Sequence, residues 1–145
     1  AKIDAAFYVV DTKSEVKDIK LGDIVPSDNA YEYNFTVSNF NDKGRSEVNL
    51  EYTLMLKTTT NLPLSYELYM NSGENNILIS EEIVKDEYGT YFNVMKTNKE
   101  IFNYKDNKTN SYKLKVKFPK LYDSFDYQDI VEAIFLEVDS KQLIN

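Results

Sequence analysis

The chain has 145 residues, of which 42% are hydrophobic, 14% aromatic and 28% charged, and its net charge is −7. A chain of this length buries roughly 68–70% of its unfolded surface, so one domain over 1–145 is expected to hold together without a covalent staple. Cysteine and histidine are both absent, which excludes disulfides, thiolate nucleophiles, Ser-His-Asp and Cys-His arrangements, and the common thiolate- or imidazole-bound metal sites.

Twelve Tyr and eight Phe stand against four Gly and three Pro, a composition that favours strands. Arg45 is the one arginine among 17 basic residues. With no basic patch and with arginine, the usual base reader, nearly missing, nucleic acid is not an expected partner. An acidic surface is also repelled by anionic lipid, and no apolar run approaches the ~20 residues that span a bilayer. No signal peptide is visible, and a mature chain would have lost one.

Residues 3–10 read as the first strand, with Ile3, Ala5, Phe7 and Val9 on one side and Asp4, Ala6, Tyr8 and Val10 on the other. Both sides carry large apolar groups, as in a strand covered on both faces. A short polar strand follows over 15–21, then turn chemistry at Gly22-Asp23 and Pro26-Ser27-Asp28-Asn29. Tyr31, Tyr33, Phe35 and Val37 alternate with Glu32, Asn34, Thr36 and Ser38. That period of two marks a half-buried strand.

The clearest alternation is in residues 47–57, where Val48, Leu50, Tyr52, Leu54 and Leu56 interleave with Asn49, Glu51, Thr53 and Lys57. The turn Asn41-Asp42-Lys43-Gly44 leads into it, and the two strands read as an antiparallel hairpin. Asn61-Leu62-Pro63 breaks the run, because proline cannot donate to a ladder. Leu64, Tyr66, Leu68 and Met70 resume the pattern.

Less regular strands are expected over 77–84 and 88–96. Tyr112, Leu114, Val116 and Phe118 then alternate with Ser111, Lys113, Lys115 and Lys117, and this lysine face is expected to be solvated and to guard a sheet edge. Pro119 stops the strand. Residues 121–129 are expected to form at most one short helix or a wide loop, and 130–139 a last strand through Ile134, Leu136 and Val138. Short strands with turn signals between them predict an all-β, two-sheet antiparallel sandwich, jelly-roll-like or immunoglobulin-like.

Candidate chemistry is sparse. Asp123, Asp126 and Asp129 are hard-cation candidates, but their spacing is not that of a calcium loop, and helix capping or plain solvation explains them better. Glu81-Glu82 and Asp86-Glu87 form a candidate carboxylate pair, although alternation sends neighbouring side chains to opposite faces. Tyr69, Tyr88, Tyr91, Tyr104, Tyr122 and Tyr127 are candidates for a sugar platform, while most tyrosines in a sandwich fill the core edge. Asn34-Phe35-Thr36 and Asn107-Lys108-Thr109 fit the glycosylation acceptor pattern, for which, in so short a pattern, chance is the better explanation. No catalytic residue, metal site or cofactor is expected.

Three segments carry a family resemblance. Ile19-Lys20-Leu21-Gly22-Asp23, the run YEYNFTVSN over 31–39, and SEVNLEYTLMLKTTTNLPLSYELY over 46–69 resemble the TasA/camelysin-like secreted proteins of Gram-positive bacteria. Those are surface and biofilm-matrix proteins exported by a dedicated signal peptidase. Residues 1–10 look like the family's first mature strand, and Leu136-Glu137-Val138-Asp139 is similar to its last; the proline that precedes the family's Gly-Asp turn is missing here. The resemblance implies a secreted or cell-surface structural protein, a biofilm-matrix or filament-forming subunit, with no catalytic residues to carry over. The alternative is a carbohydrate- or protein-binding module of a larger surface protein. Implied partners are other surface or matrix proteins and further copies of the chain. Ile3, Ala5, Phe7 and Val9 are the candidate strand-exchange segment, because strand addition to a neighbour's edge reuses the ladder hydrogen bonds.

Overall fold

The computed structural model of the chain describes residues 2–8, 15–19, 30–42, 44–60, 64–118 and 134–143. Strand β3 (Tyr31–Ser38) owes its form to the alternation of Tyr33, Phe35 and Val37, all buried, with half-buried polar neighbours. It pairs antiparallel with β11 (Thr109–Lys117), which pairs antiparallel with β7 (Ser65–Met70). Strand β1 (Lys2–Tyr8) joins the free side of β3 in parallel, giving the order β1-β3-β11-β7.

The second sheet is built on β6 (Asn49–Thr59), whose eleven residues alternate strictly between buried and half-buried. Along one flank runs β12 (Ile134–Leu143), which also pairs with β2 (Glu15–Ile19). Along the other run β9 (Tyr91–Lys96), against the end of β6 from Met55, and β10 (Glu100–Phe102), against Leu50 to Tyr52. Thr97 bridges the break between them: its N–H donates to Leu54 O and its Oγ1 accepts from Leu54 N–H, each at 3.1 Å. Strand β8 (Ser80–Lys85) closes the far side of β9. A two-residue pair, β4 (Phe40–Asn41) with β5 (Gly44–Arg45), sits between β3 and β6.

The two sheets face each other as a β-sandwich, and no described residue is helical. Leu50, Tyr52, Leu54 and Leu56 from one sheet meet Phe35, Val37, Leu114 and Val116 from the other, and all eight are buried. Aromatic rings cross the gap in sequence. Phe35 stacks on Tyr112 at 5.1 Å, the Tyr112 and Tyr52 hydroxyls meet at 2.5 Å, and Tyr52 stacks on Phe102 at 5.1 Å. Asn110 Nδ2 donates to Tyr52 Oη at 2.6 Å.

Three expectations are corrected. Strands β3 and β6 do not form a hairpin; they lie in different sheets, with β4–β5 making the crossing. Alternation reports which face of a strand is buried, and both strands bury one face in the same core, so the pattern cannot separate a hairpin partner from a facing strand. The lysine strand guards no edge either: β11 is interior, between β3 and β7. Its lysines instead meet acidic neighbours, with Lys117 Nζ 2.5 Å from Glu67 and Lys113 Nζ 3.9 Å from Glu32. Strand β8 begins at Ser80 rather than at Ile77, whose N–H is spent on Leu68 O. The turns at 22–23 and 26–29, the break at 61–63 and the expected helix or loop over 121–129 lie outside the described residues.

Leu54→Ala removes a fully buried side chain from the middle of β6, and transfer plus cavity costs of ~2–5 kcal/mol are expected. The urea midpoint should fall with an unchanged m-value; a loss under ~1 kcal/mol would mean the site collapses around the smaller residue.

Burial pushes the Tyr52 hydroxyl up to about 12, against the lowering effect of its bonds from Tyr112 and Asn110. Burial, with Tyr31 adding to it, does the same for Tyr33, also to about 12, and burial raises Tyr112 as well. Unfolded tyrosines release their protons near pH 10 while the folded ones keep theirs, so the folded state binds more protons above that pH. These groups therefore stabilise fully below pH 10, and the contribution is lost as pH climbs from 10 toward 12, by up to about 1.4 kcal/mol per pH unit per tyrosine. The urea midpoint measured from pH 9 to 12 should drop along this range, and Tyr33→Phe should make the drop shallower; an unchanged slope in that variant would show that Tyr33 does not titrate with unfolding.

Candidate functional site

The buried residue that organises one end of the sandwich is Asn39, immediately after β3 and fully inaccessible. Its Nδ2 donates to Asn103 O (3.2 Å) and Asp106 O (3.0 Å), and its Oδ1 accepts from Lys108 N–H (2.8 Å). Its backbone closes two further bonds, N–H to Lys108 O at 3.2 Å and O from Ser46 N–H at 2.8 Å. Every hydrogen-bonding group of this residue is thus engaged, and the β4–β5 turn is tied to the 103–108 loop. Ser38 and Thr109 reinforce the tie with a hydroxyl–hydroxyl contact of 2.9 Å.

Between these two loops lies an open recess of about 650 Å³ lined by Phe40, Asp42, Arg45, Ser46, Tyr104 and Asn107, among others. Arg45 Nη1 donates to Asn107 Oδ1 at 3.0 Å, and the Tyr104 N–H donates to Asn49 Oδ1 at 2.9 Å. The recess offers a guanidinium fork, amide and carboxylate acceptors, and two aromatic rings. It presents donors and acceptors for binding and no activated nucleophile. Nothing in the sequence marked Asn39 or Arg45 as site residues, and Asn107 stood out only as part of a glycosylation pattern; the one available signal was an asparagine closing a clean alternating strand.

The candidate strand-exchange segment falls on β1, at the edge of its sheet. Ile3, Ala5 and Phe7 are level with Tyr33, Phe35 and Val37 of β3, the three core residues of that strand. Val9 lies outside the described residues, as do Asp123, Asp126, Asp129, Tyr122 and Tyr127. The four remaining tyrosine candidates are scattered over three places. Tyr69 lies on the outer side of β7, bonded to Glu67 and with Lys115 Nζ 5.3 Å from its ring centre. Tyr88 lies in the β8–β9 turn, Tyr91 opens β9, and Tyr104 lines the recess. No shared platform forms from them.

Glu81 and Glu82 sit on β8 opposite Met95 and Val94, so they point to opposite faces, and Asn93 Nδ2 donates to Glu81 Oε1 at 2.8 Å. Asp86 is spent on the turn: its Oδ1 accepts from Tyr88 N–H (2.9 Å) and Thr90 N–H (2.8 Å). These carboxylates do not converge. Among the described residues no group of three acidic side chains is placed to hold a metal ion. Of the glycosylation patterns, Asn34 lies inside the β3 ladder and Asn107 on the exposed 103–108 loop.

No protein-family model matches the chain, and no curated protein is detectably similar to it.

Asn39→Asp tests the hub. The substitution replaces two N–H donors with a carboxylate oxygen facing the Asn103 and Asp106 carbonyls in a buried site. It should destabilise more than Asn39→Ala, which itself leaves buried groups unpaired at about 1–3 kcal/mol. Urea titrations of both variants at neutral pH decide it; an Asp variant as stable as wild type would show that the two carbonyl bonds contribute nothing.

Proposed function

We propose that this protein is a non-enzymatic, secreted or cell-surface structural subunit of the TasA/camelysin-like kind, able to self-associate by exchange of its first strand. The observation that supports this reading is the place of β1. It is the first strand, it stands at a sheet edge, and among the described residues its ladder runs to β3 alone. A strand held by a ladder on one flank leaves with few other backbone bonds broken. The vacated edge of β3 then offers the same register to the first strand of another copy. Exchange of this kind runs head to tail and does not close on itself, so its product is a filament. Other surface or matrix proteins with a free strand are the further partners this edge admits.

A second reading, a carbohydrate- or protein-binding module of a larger surface protein, draws on the recess at Arg45 and Tyr104. Its aromatic rings and exposed polar groups suit a polar ligand, and Arg45→Ala would abolish binding in a glycan or peptide array. The strand-exchange reading is preferred because it uses the backbone ladder, which needs no particular side chain.

Deleting residues 1–10 tests the proposal. The intact chain should form fibres visible by electron microscopy, and the truncated chain should not. A synthetic peptide of residues 1–10 should bind the truncated chain and raise its thermal midpoint. Fibres from the truncated chain equal to those from the intact one would overturn strand exchange, as would a peptide without effect on a folded truncated chain.

A further inference from the structure

The outer edge of β8 has a property that the strand-exchange reading does not use. Asp86 N–H donates to Thr90 O at 2.9 Å, which makes that pair a hydrogen-bonded one. Such pairs alternate along an antiparallel ladder. In the continuous β8–β9 register, Ser80, Glu82 and Val84 therefore turn their backbone groups toward β9. Glu81, Ile83 and Lys85 turn theirs to the open side. Among the described residues β8 pairs only with β9, and all six of its residues are exposed, Ile83 by 60%.

The edge of β7 is treated differently. There Leu68 N–H donates to Asn76 Oδ1 at 3.0 Å and Leu68 O accepts from Ile77 N–H at 2.8 Å, so the returning chain blocks it. Among the described residues the β8 edge has no such cover. Asp86 fixes the turn with two side-chain bonds, and Gly89, at φ +84°, supplies the left-handed residue that the turn requires.

We infer that β8 is a self-pairing edge that joins two copies of this chain in a two-fold antiparallel dimer centred on Ile83. The residues whose backbone faces outward are self-complementary. Centred on Ile83, a second β8 places Ile83 opposite Ile83, and Glu81 opposite Lys85 twice over. Between them, Glu82 falls opposite Val84. Both neighbouring two-fold registers oppose like charges: a one-residue shift one way sets Glu82 against Glu82, and the other way sets Glu82 against Asp86 and Glu81 against Glu87. Like charges directly opposite are unfavourable and opposite charges favourable, so one register is selected. Glu81 keeps one carboxylate oxygen on Asn93 and has the other for Lys85 of the second copy. Six residues a side make a contact smaller than a standard interface, so the dimer is weak and concentration-dependent. Being isologous, it closes at two copies, which separates it from the open-ended fibres of strand exchange.

The absence of cysteine gives a clean test. In the intact 145-residue chain, Ile83→Cys places a thiol beside its own symmetry mate, whereas Tyr88→Cys, at a position 84% exposed, lies five residues from the axis. With a short bifunctional thiol reagent, Ile83→Cys should be captured mainly as a dimer, and much faster than Tyr88→Cys. In sedimentation equilibrium, Glu81→Lys should weaken dimerisation roughly tenfold by opposing lysines twice, and Glu81→Lys with Lys85→Glu should restore it. Each variant changes exposed side chains, and circular dichroism checks its fold. Equal capture of the two cysteine variants would overturn the proposal. So would a double charge variant no better than the single one, or a chain that stays monomeric at millimolar concentration.

Discussion

The hydroxyl contact between Tyr52 and Tyr112, 2.5 Å long and buried between the sheets, constrains the sandwich more than any aliphatic contact does. Hydrocarbon side chains tolerate sliding, because dispersion is not directional. A buried hydroxyl is costly unless it finds a partner at the right place, and here each hydroxyl is the other's partner. Tyr52 comes from β6 and Tyr112 from β11, so the bond fixes one sheet's position over the other. Asn110 completes the set from the same strand as Tyr112. The short strand β10 gains its purpose from this arrangement: Phe102 stacks on Tyr52 and closes the core over it.

The same logic holds where the chain passes between sheets. Asn39 gathers two loops with its amide and backbone groups, and Thr97 bridges the gap where β9 gives way to β10. In each case a polar side chain does what a strand ladder cannot do at its end, which is to satisfy backbone groups that have lost their regular partners. The recess at Arg45 is a by-product of the Asn39 hub, since the hub holds its two walls apart at a fixed distance.

Much of this was legible in the sequence, and the physical reason is the period of two. Alternation identified the buried face of β3, β6, β7, β11 and β12, and Phe35, Val37, Leu50, Tyr52, Leu54, Leu56, Leu114 and Val116, all on the alternating apolar side, are buried. What alternation does not encode is which strand lies beside which. Strands β3 and β6 read as a hairpin because their patterns match, yet they face each other across the core. The lysines of β11 looked like edge protection, yet they lie on the outer face of an interior strand, where Glu32 and Glu67 take two of them. Lys117, with Tyr69 beside it, holds the Glu67 carboxyl below its usual range. The candidate site was hidden for a different reason. Asn39 and Asn107 are ordinary loop residues in one dimension, and only the fold brings residues 39, 45 and 107 to one place.

With the core saturated and the described carboxylates dispersed, the unsatisfied hydrogen-bonding capacity of such a molecule gathers at the margins of its sheets. An interior strand has spent its backbone groups on two neighbours; an edge strand has spent half. Where the protein closes an edge it does so with side chains and returning backbone, as Asn76 and Ile77 do beside β7. Where it leaves one open, charged residues set the terms of association, since they disfavour every register except those that match them. The Glu81-Ile83-Lys85 series on β8 does both jobs with one set of residues. Its charges discourage indiscriminate pairing, and its near-palindromic order matches a second copy of the same strand.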